Sequence, residues 1–376
     1  MAKIAIIGTV ASSFLGFRSD LIKKLLDEGH RVYAFTSEYT KEDLKKIELL
    51  GAVTLTYDLS RGGLNPLADI IATYKLSKKI KEINPDLVFS YFSKPVIFGT
   101  IAAKLARVPR ITGMLEGLGY TFTDQPEGLS KKTQLIKKIQ VFLYKVALPK
   151  LDQLIFLNPD DPKDLLDQHS IKVKKVEVLG GIGLNLEYYK LSTNFPSNIT
   201  FIFIARLLAE KGIHDYIKAA KIVKDKYPFV KFVVLGAIDK EALGSLKEEK
   251  LHGLVQANIM EYPGHVNNVS EWIESASVFV LPSYYREGVP RSTQEAMAIG
   301  RAIITTDVPG CRETVINGVN GFLVPKWNPQ ALAEKMIYFI EHPEQIRVMG
   351  AESYKIAVEK FDAEKVNQRL MSILGL

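Results

Sequence analysis

The chain has 376 residues, a length that exceeds what a single hydrophobic core usually supports. Its 47% hydrophobic content excludes a disordered chain, and its single cysteine, Cys311, excludes an internal disulfide framework and a cysteine-cluster metal site. The formal net charge of +7 belongs to residues 1–190, because residues 191–376 sum to zero. Residues 131–150 hold six lysines and no acidic residue, so most of the basic character comes from one segment.

The first half of the chain alternates short apolar runs with helical patterns, which predicts parallel strands joined by helices. The strands are predicted at 4–7, 32–35, 53–57, 87–90, 110–114, 153–156 and 175–179. The helices are predicted at 17–28, 40–50, 67–83, 96–106, 131–148 and 160–168. A loop containing Gly8 and Gly16 is predicted between the first strand and the first helix. The irregular segment 188–198 is predicted to link two domains.

A second series of the same kind follows the linker. Its strands are predicted at 199–204, 231–235, 258–262, 278–281, 302–305 and 321–324. Its helices are predicted at 213–226, 240–251, 269–276, 292–298, 329–340, 343–360 and 363–374. The pattern predicts an α/β protein with two doubly wound, Rossmann-like domains, 1–190 and 191–360, and a site in the cleft between them.

Membrane-spanning segments are not predicted, because no stretch approaches the roughly 18 apolar residues that a spanning helix needs. The apolar run 4–17 is short and interrupted by small polar residues, so it reads as a buried strand and its loop rather than as a signal peptide. We therefore expect a cytosolic protein, or one held on a membrane surface without crossing it.

Two carboxylates in the segment 287–295, Glu287 and Glu295, form the most informative constellation. They flank the start of a predicted helix, where free N–H groups and the helix dipole favour an anion. The alternative is a simple helix start with acids favoured by the dipole, and from the residues alone the two readings are balanced.

Arg206 and Lys211 follow the strand predicted at 199–204, where two fixed cations would suit a diphosphate. Solvated loop charges are the alternative. Glu116, Gly117 and Gly119 follow the strand 110–114, where they form either a ligand-contacting turn or an ordinary glycine turn.

Several motifs are absent from the sequence. It contains no Asp-x-Asp, no H-E-x-x-H, no P-loop and no G-x-S-x-G elbow. The sequence therefore does not suggest a metal-dependent mechanism, a P-loop nucleotidase or an elbow-type hydrolase. A nucleic-acid binder is the least favoured class, since the second half is neutral and lacks a basic face with interleaved aromatic residues.

Five motifs in order resemble the retaining glycosyltransferases of family 4, which have the two-domain GT-B fold. They are Glu287 with Glu295, Arg206 with Lys211-Gly212, Gly264-His265-Val266, Pro309-Gly310 with Glu313, and Gly318 with Gly321 to Val324. Shorter matches in the first half resemble the bacterial PglA-type subgroup, which transfers N-acetylgalactosamine from UDP to undecaprenyl-diphospho-diacetylbacillosamine. Those matches are Phe17-Arg18, Ser60-Arg61 with Leu64 to Pro66, and Glu116 to Gly119.

The resemblance implies a retaining transfer from a UDP-sugar with no metal or other cofactor, and a C-terminal helix, 361–376, that packs back on the first domain. It implies that the catalytic set is Arg206, Lys211, Glu287 and Glu116. The donor would be bound through Gly16, Arg206, Lys211, Gly264, His265, Val266, Glu287, Gly288, Val289, Pro290 and Glu295. Uracil would lie on 264–266 and ribose on Glu295. One departure is visible: where many members have G-D/E-G-P, this chain has Gly236 to Asp239.

The resemblance also implies a polyprenyl-diphosphate-linked saccharide as acceptor and an enzyme working on an anionic membrane surface. The residues expected to meet the acceptor or the membrane are Arg18, Arg61, Asn65, Glu116, Gly117, Gly119, Lys131, Lys132, Lys137, Lys138 and Lys145. In a helix over 131–148, Leu135, Ile136, Ile139, Phe142, Leu143 and Val146 share one face. That face either packs in the core or docks on lipid.

Other readings stay open at this stage. A family 4 transferase with another UDP-sugar and a lipid-linked or lipopolysaccharide acceptor shares the same motifs. A GT-B epimerase or phosphorylase acting on soluble substrates would not need a basic amphipathic helix. A noncatalytic sugar- or nucleotide-binding protein is less favoured, because both carboxylates and both cations are present.

Overall fold

The computed structural model describes residues 1–59, 65–239, 242 and 244–376, and the chain divides into two compact units. The first comprises Met1–Thr121, Ser130–Gly183 and Ala363–Leu376. The second comprises Phe122–Leu129 and Leu184–Asp362. The division thus falls after Gly183 rather than at residue 190, and the segment 188–198 belongs to the second unit.

The first unit contains, in the described residues, a seven-stranded parallel sheet of order β3-β2-β1-β4-β5-β6-β7. β1 pairs with both β2 and β4, so Ile4 lies between Val32 and Leu87 and is fully buried. All seven strand predictions are confirmed, at β1 (Lys3–Ile7), β2 (Arg31–Thr36), β3 (Val53–Thr56), β4 (Leu87–Tyr91), β5 (Arg110–Leu115), β6 (Gln153–Phe156) and β7 (Val176–Val178).

Helices follow these strands, and two π-turns, Pro95–Gly99 and Lys163–Asp167, extend α5 and α7. The prediction of a loop up to Gly16 was wrong, because Gly16 lies inside a helix, Ala11–Phe17, that packs against the helix Lys41–Leu49. The helices are α1 (Ala11–Phe17), α2 (Ser19–Asp27), α3 (Lys41–Leu49), α4 (Pro66–Ile83), α5 (Thr100–Leu105), α6 (Lys131–Ala147) and α7 (Asp160–Pro162).

The second unit contains a six-stranded parallel sheet of order β10-β9-β8-β11-β12-β13 within the described residues. The strands are β8 (Thr200–Ile204), β9 (Lys231–Leu235), β10 (Glu261–Gly264), β11 (Val278–Leu281), β12 (Ala302–Thr306) and β13 (Gly321–Val324). The helices are α8 (Ile213–Lys226), α9 (Glu248–Gln256), α10 (Val269–Glu274), α11 (Arg291–Ala298), α12 (Pro329–Glu341) and α13 (Glu344–Lys360).

Two elements of this unit are displaced from their predicted positions. β10 begins at Glu261 rather than 258, because Asn258 has a φ of +53° and terminates α9 instead of starting a strand. The helix predicted at 240–251 begins only at Glu248; Lys240, Glu241 and Leu243 lie outside the described residues.

The last helix, α14 (Ala363–Leu374), belongs to the first unit and contacts α2. The Arg369 guanidinium donates to the carbonyl of Val178 at 2.8 Å. Arg110 donates to the carbonyls of Leu374 and Gly375 at 3.1 and 3.0 Å, and so binds the helix end where carbonyls lack partners and the dipole is negative.

Candidate active site

A tight contact between two loops positions the central ion pair of the second unit. Gly212, after the turn Ala209–Lys211, has a φ of +82°, and a Cβ on it would lie 2.0 Å from the carbonyl oxygen of Pro282. The carbonyl of Glu210 accepts hydrogen bonds from the amides of Tyr284 and Tyr285, at 2.9 and 3.0 Å. Only glycine fits this approach, and the contact holds the turn after β8 against the loop after β11.

Lys211 and Glu287 meet across this contact. Their side chains form an ion pair and are 13% and 14% exposed. The ammonium of Lys211 also lies 4.6 Å from the centre of the Tyr285 ring, and Ser283 donates to the same Glu287 oxygen at 3.3 Å. Gly310 has a φ of +82°, and a Cβ there would lie 2.6 Å from the Glu287 carbonyl oxygen. The structure therefore brings together two residues predicted for one site.

Arg206 lies in a different environment from Lys211. Its guanidinium pairs with Asp239 at 3.3 Å, and the two side chains are 46% and 35% exposed. Asp239 belongs to the segment 236–239, where the sequence departs from the family pattern. Sequence analysis did not assign Asp239 a role, and its spacing from Arg206 gives no signal.

The predicted base-binding segment 264–266 lies at the same edge of the sheet as Arg206. Gly236 has a φ of +140°, and a Cβ on it would lie 1.9 Å from the carbonyl oxygen of Ala205. The Gly236 amide donates to the Gly264 carbonyl at 3.0 Å, and the Tyr262 hydroxyl donates to the Gly236 carbonyl at 2.8 Å. These contacts join the ends of β8, β9 and β10. His265 is exposed and Val266 half-buried.

Glu295 lies one turn inside α11, as predicted, and is buried. One of its oxygens, Oε1, accepts from the Tyr189 hydroxyl at 2.8 Å and from Nε of Arg291 at 3.1 Å. Burial raises the pKa of Glu295, and the two partners oppose that rise. Sequence analysis missed both partners. The i, i+4 spacing could have indicated Arg291, whereas Tyr189 is 106 residues away.

The start of α11 is enclosed by protein. Gly288, Val289 and Pro290 are buried, and the side chain of Gln294 donates to the Val289 carbonyl at 3.2 Å. The hydroxyl of Thr293 in the first turn is buried without a hydrogen-bond partner among the described residues. The first-turn amides of a helix and a hydroxyl placed like this one are groups that can donate hydrogen bonds to an anion.

The first unit has its own buried ion pair, between Arg18 and Glu116. Arg18 is 2% exposed and its guanidinium carbon lies 4.7 Å from the centre of the Tyr91 ring. The Tyr91 hydroxyl is hydrogen-bonded to Ser13 at 2.8 Å, and burial raises its pKa far above the usual value. The ends of β4 and β5 thus meet the α1–α2 junction. Sequence analysis predicted Arg18 and Glu116 but missed Tyr91.

The remaining residues predicted for the acceptor have mixed positions. Gly117 and Gly119 have φ values of +98° and +77° in the turn after β5. The side chain of Asn65 accepts from the amide of Ala68 at 3.2 Å and caps α4, which is a structural role. Arg61 lies outside the described residues.

Helix α6 carries all five predicted membrane lysines. Lys131, Lys132, Lys138 and Lys145 are exposed and Lys137 is half-buried. The buried residues of α6 are Thr133, Val141, Tyr144 and Ala147. The apolar face predicted from the sequence is a different one, and the reading that it packs in the core was wrong: Leu135, Phe142 and Val146 on it are exposed, and Ile136, Ile139 and Leu143 are half-buried.

Helix α4 carries a second exposed apolar face. Leu67, Ile70, Ile71 and Tyr74, spaced as one helical stripe, are 75%, 62%, 57% and 56% exposed. Exposed apolar patches of this kind mark interaction surfaces. In the part of the chain that the structure describes, no helix has the length and apolarity needed to cross a bilayer.

Comparison with known proteins decides the family. Residues 3–158 match the model of "Glycosyl transferase 4-like" proteins, and residues 190–356 match that of "Glycosyl transferases group 1". The chain is a glycosyltransferase of family 4 with the GT-B fold. Both units of this transferase are thus matched by domains of the same enzyme class.

Two relatives and one solved structure extend the match. The transferase is 28% identical to the N,N'-diacetylbacillosaminyl-diphospho-undecaprenol alpha-1,3-N-acetylgalactosaminyltransferase of Campylobacter jejuni, over 99% of this chain and 98% of the relative. It is 26% identical to an Escherichia coli UDP-Gal:alpha-D-GlcNAc-diphosphoundecaprenol alpha-1,3-galactosyltransferase, over 69% and 67%. Anabaena HepE, solved with UDP and glucose, shares the fold over 100% of both chains, with 19% identity and a TM-score of 0.78.

Loss of Arg291 should destabilise the protein, because it leaves the buried carboxylate of Glu295 without its cationic partner. We expect Arg291→Met to lower the free energy of unfolding by about 2 kcal/mol at pH 7.5, since it takes a charged hydrogen bond from a buried carboxylate. The substitution raises the pKa of Glu295 further, so the loss should shrink as the pH falls and Glu295 is protonated. Urea unfolding at several pH values measures both.

The control is Arg312→Met, which breaks the more exposed pair with Asp307. We expect it to cost under about 1 kcal/mol. A loss for Arg291→Met that is the same at pH 5 and pH 7.5 would contradict the role given to Arg291.

Proposed function

We propose that the enzyme transfers N-acetylgalactosamine from UDP-GalNAc, in α-1,3 linkage, to undecaprenyl-diphospho-diacetylbacillosamine at the cytoplasmic face of the membrane, in bacterial protein N-glycosylation. The observation that carries the proposal is the match over nearly the whole of both chains to a relative named as an alpha-1,3-N-acetylgalactosaminyltransferase of N,N'-diacetylbacillosaminyl-diphospho-undecaprenol. The ion pairs in each unit supply the chemistry that the reaction needs.

Lys211 and Arg206 bind the donor diphosphate in this proposal. In the structure Lys211 forms an ion pair with Glu287, and Arg206 forms one with Asp239. A diphosphate offers both cations a stronger, doubly charged partner, and Glu287 is then left to accept hydrogen bonds from the donor sugar. The amides at the start of α11 donate to the phosphates and offset their negative charge, so the proposed transfer needs no metal.

The nucleoside is bound at the edge formed by the ends of β8, β9 and β10. The backbone of residues 264–266, anchored to Gly236, contacts uracil. Glu295 binds the ribose hydroxyls through its second oxygen, because Tyr189 and Arg291 hold the first.

The reaction retains the anomeric configuration. The bond from the sugar C1 to the diphosphate oxygen breaks with its electron pair going to the diphosphate. The acceptor hydroxyl forms its bond to C1 on the same face, and its proton passes to the departing phosphate oxygen. Lys211 and Arg206 stabilise the charge that develops on the diphosphate. In the first unit, Arg18 fixes the Glu116 carboxylate for hydrogen bonds to the acceptor sugar.

The enzyme docks on an anionic membrane through α6 and α4. The exposed apolar side chains of both helices and the lysines of α6 are the two components of an interfacial helix surface. Each lysine near anionic lipid contributes about 1 kcal/mol, so the cluster suffices for reversible binding.

The donor and acceptor are tested together by a substrate panel. The enzyme is incubated with UDP-GalNAc, UDP-GlcNAc, UDP-Gal or UDP-Glc and the diacetylbacillosamine lipid, and the product is identified by mass spectrometry and NMR. We expect transfer from UDP-GalNAc alone, with α-1,3 linkage. Preferred transfer of galactose to a GlcNAc-diphospholipid would instead support an activity like that of the E. coli relative.

Loss of the two cations should slow turnover unequally. We expect Lys211→Ala to lower kcat by a factor of 100 to 1,000, since an enclosed charge of this kind contributes about 3–4 kcal/mol to transition-state stabilisation. Arg206→Ala should have a smaller effect because its side chain is more exposed. UDP release measures turnover, with exposed Lys221→Ala as control. Near-normal kcat in both variants would refute the diphosphate assignment.

Charge reversal on α6 should release the enzyme from membranes. We expect Lys131, Lys132, Lys137 and Lys138 changed to Glu to reduce binding to phosphatidylglycerol liposomes at least tenfold in a flotation assay. The matched control changes four exposed lysines of the second unit to Glu, namely Lys218, Lys221, Lys247 and Lys250. Equal binding of both variants would contradict docking through α6.

A further inference from the structure

A cavity of about 660 Å³ lies in the first unit between α4, the π-turn Pro95–Gly99 and α6. Its floor includes Ile97 and Phe98, which are buried, and one wall is the half-buried side of α6 at Ile136 and Ile139. The volume lies in the range of about 300–1,000 Å³ that is typical of ligand sites. We call this cavity the α6 groove.

The α6 groove is shaped for a chain rather than for a compact ligand. On α6 it is lined from Lys132 to Leu143, a length of about 16 Å at the rise of an α-helix. Its lining is mostly aliphatic and aromatic, and the residue that α4 contributes to it is Asp69. A hydrocarbon chain could therefore lie along α6 in contact mainly with apolar side chains.

Polar contacts connect the α6 groove to the acceptor turn after β5. Gln140 lines the groove, and its side chain accepts from the hydroxyl of Thr121 at 2.6 Å and donates to the Tyr144 hydroxyl at 3.1 Å. Thr121 lies two residues after Gly119 in the turn that begins with Glu116. Gln140 therefore links the groove by one hydrogen bond to the segment expected to hold the acceptor sugar.

Two lysines lie on the wall of this apolar groove. Lys94 is largely buried and approaches both carboxylate oxygens of Asp69 at 3.4 Å, a long separation for an ion pair. Lys132 also lines the groove and is exposed. Cations beside the apolar α6 groove are suited to binding a ligand in which a phosphate group is joined to an apolar chain.

We propose that the α6 groove binds the first isoprene units of a polyprenyl-diphosphate acceptor, with Lys94 and Lys132 binding its diphosphate. This deepens the proposed function and rests on it for the identity of the saccharide. An isoprenoid diphosphate is favoured over a phospholipid because two cations meet a doubly phosphorylated group, and because both relatives described above act on diphospho-undecaprenol substrates.

Binding of farnesyl diphosphate tests the groove directly, without donor or sugar. Calorimetry in detergent-free buffer compares the wild type with Ile139→Trp and Ile136→Trp, which fill the groove. The matched control is Phe142→Trp, on the exposed side of the same helix. Thermal melting identifies variants that are folded. We expect the two filling variants to weaken binding at least tenfold, Lys94→Gln to weaken it, and Phe142→Trp to leave it unchanged.

Three results would overturn the inference. They are unchanged affinity in both folded filling variants, equal weakening by Phe142→Trp, and displacement of farnesyl diphosphate by an equal concentration of lysophosphatidylglycerol. The last would assign the groove to phospholipid.

The same variants separate this inference from the proposed function. Groove-dependent binding by an enzyme that transfers no sugar in the substrate panel would support the groove and refute the transfer. Normal transfer to the undecaprenyl acceptor with an unchanged acceptor KM in Ile139→Trp would refute only the groove.

Discussion

The contact between the turn at Gly212 and the carbonyl of Pro282 is the constraint on which the donor site depends. A side chain at residue 212 would overlap backbone atoms, so the close approach exists only with glycine. That approach aligns the Glu210 carbonyl with two amides of the neighbouring loop and places Lys211 against Glu287. Lys211, expected at the donor diphosphate, and Glu287, expected at the donor sugar, are therefore held by backbone packing between the ends of β8 and β11.

The same electrostatic arrangement occurs in both units. Arg18 with Glu116, Lys211 with Glu287 and Arg291 with Glu295 are ion pairs of low exposure close to strand ends or helix starts. Taking such charges out of water is costly, and an opposite charge offsets the cost. The phosphates or hydroxyls of a substrate can replace one partner of a pair at a small cost in free energy. Because the ion pairs already hold the side chains in place, the site is ordered before the substrate binds.

Helix α6 contributes both to the packing of the first unit and to its exposed apolar and basic surface. Its narrow buried face, from Thr133 to Ala147, anchors it in the first unit. The remaining apolar side chains face the groove or solvent, together with its lysines. A helix with an exposed apolar face lowers its free energy when that face contacts lipid. The same helix also carries most of the net positive charge of the chain.

The sequence by itself determined the strand–helix alternation, the strands of both sheets apart from the displaced β10, and the charged residue types of the candidate site. Which carboxylate pairs with which cation was decided by the tertiary structure. Hydrophobic periodicity and helix-start residues are features of short sequence segments, so they can be recognised without a structure. It did not reveal α1, whose small residues resemble a loop until packing buries them. Tyr91, Tyr189 and Asp239 were also missed, since each meets its partner from a distant part of the chain. Which apolar face of α6 is covered was likewise decided only by tertiary packing, because amphipathic spacing is the same whether a face meets a core or a membrane.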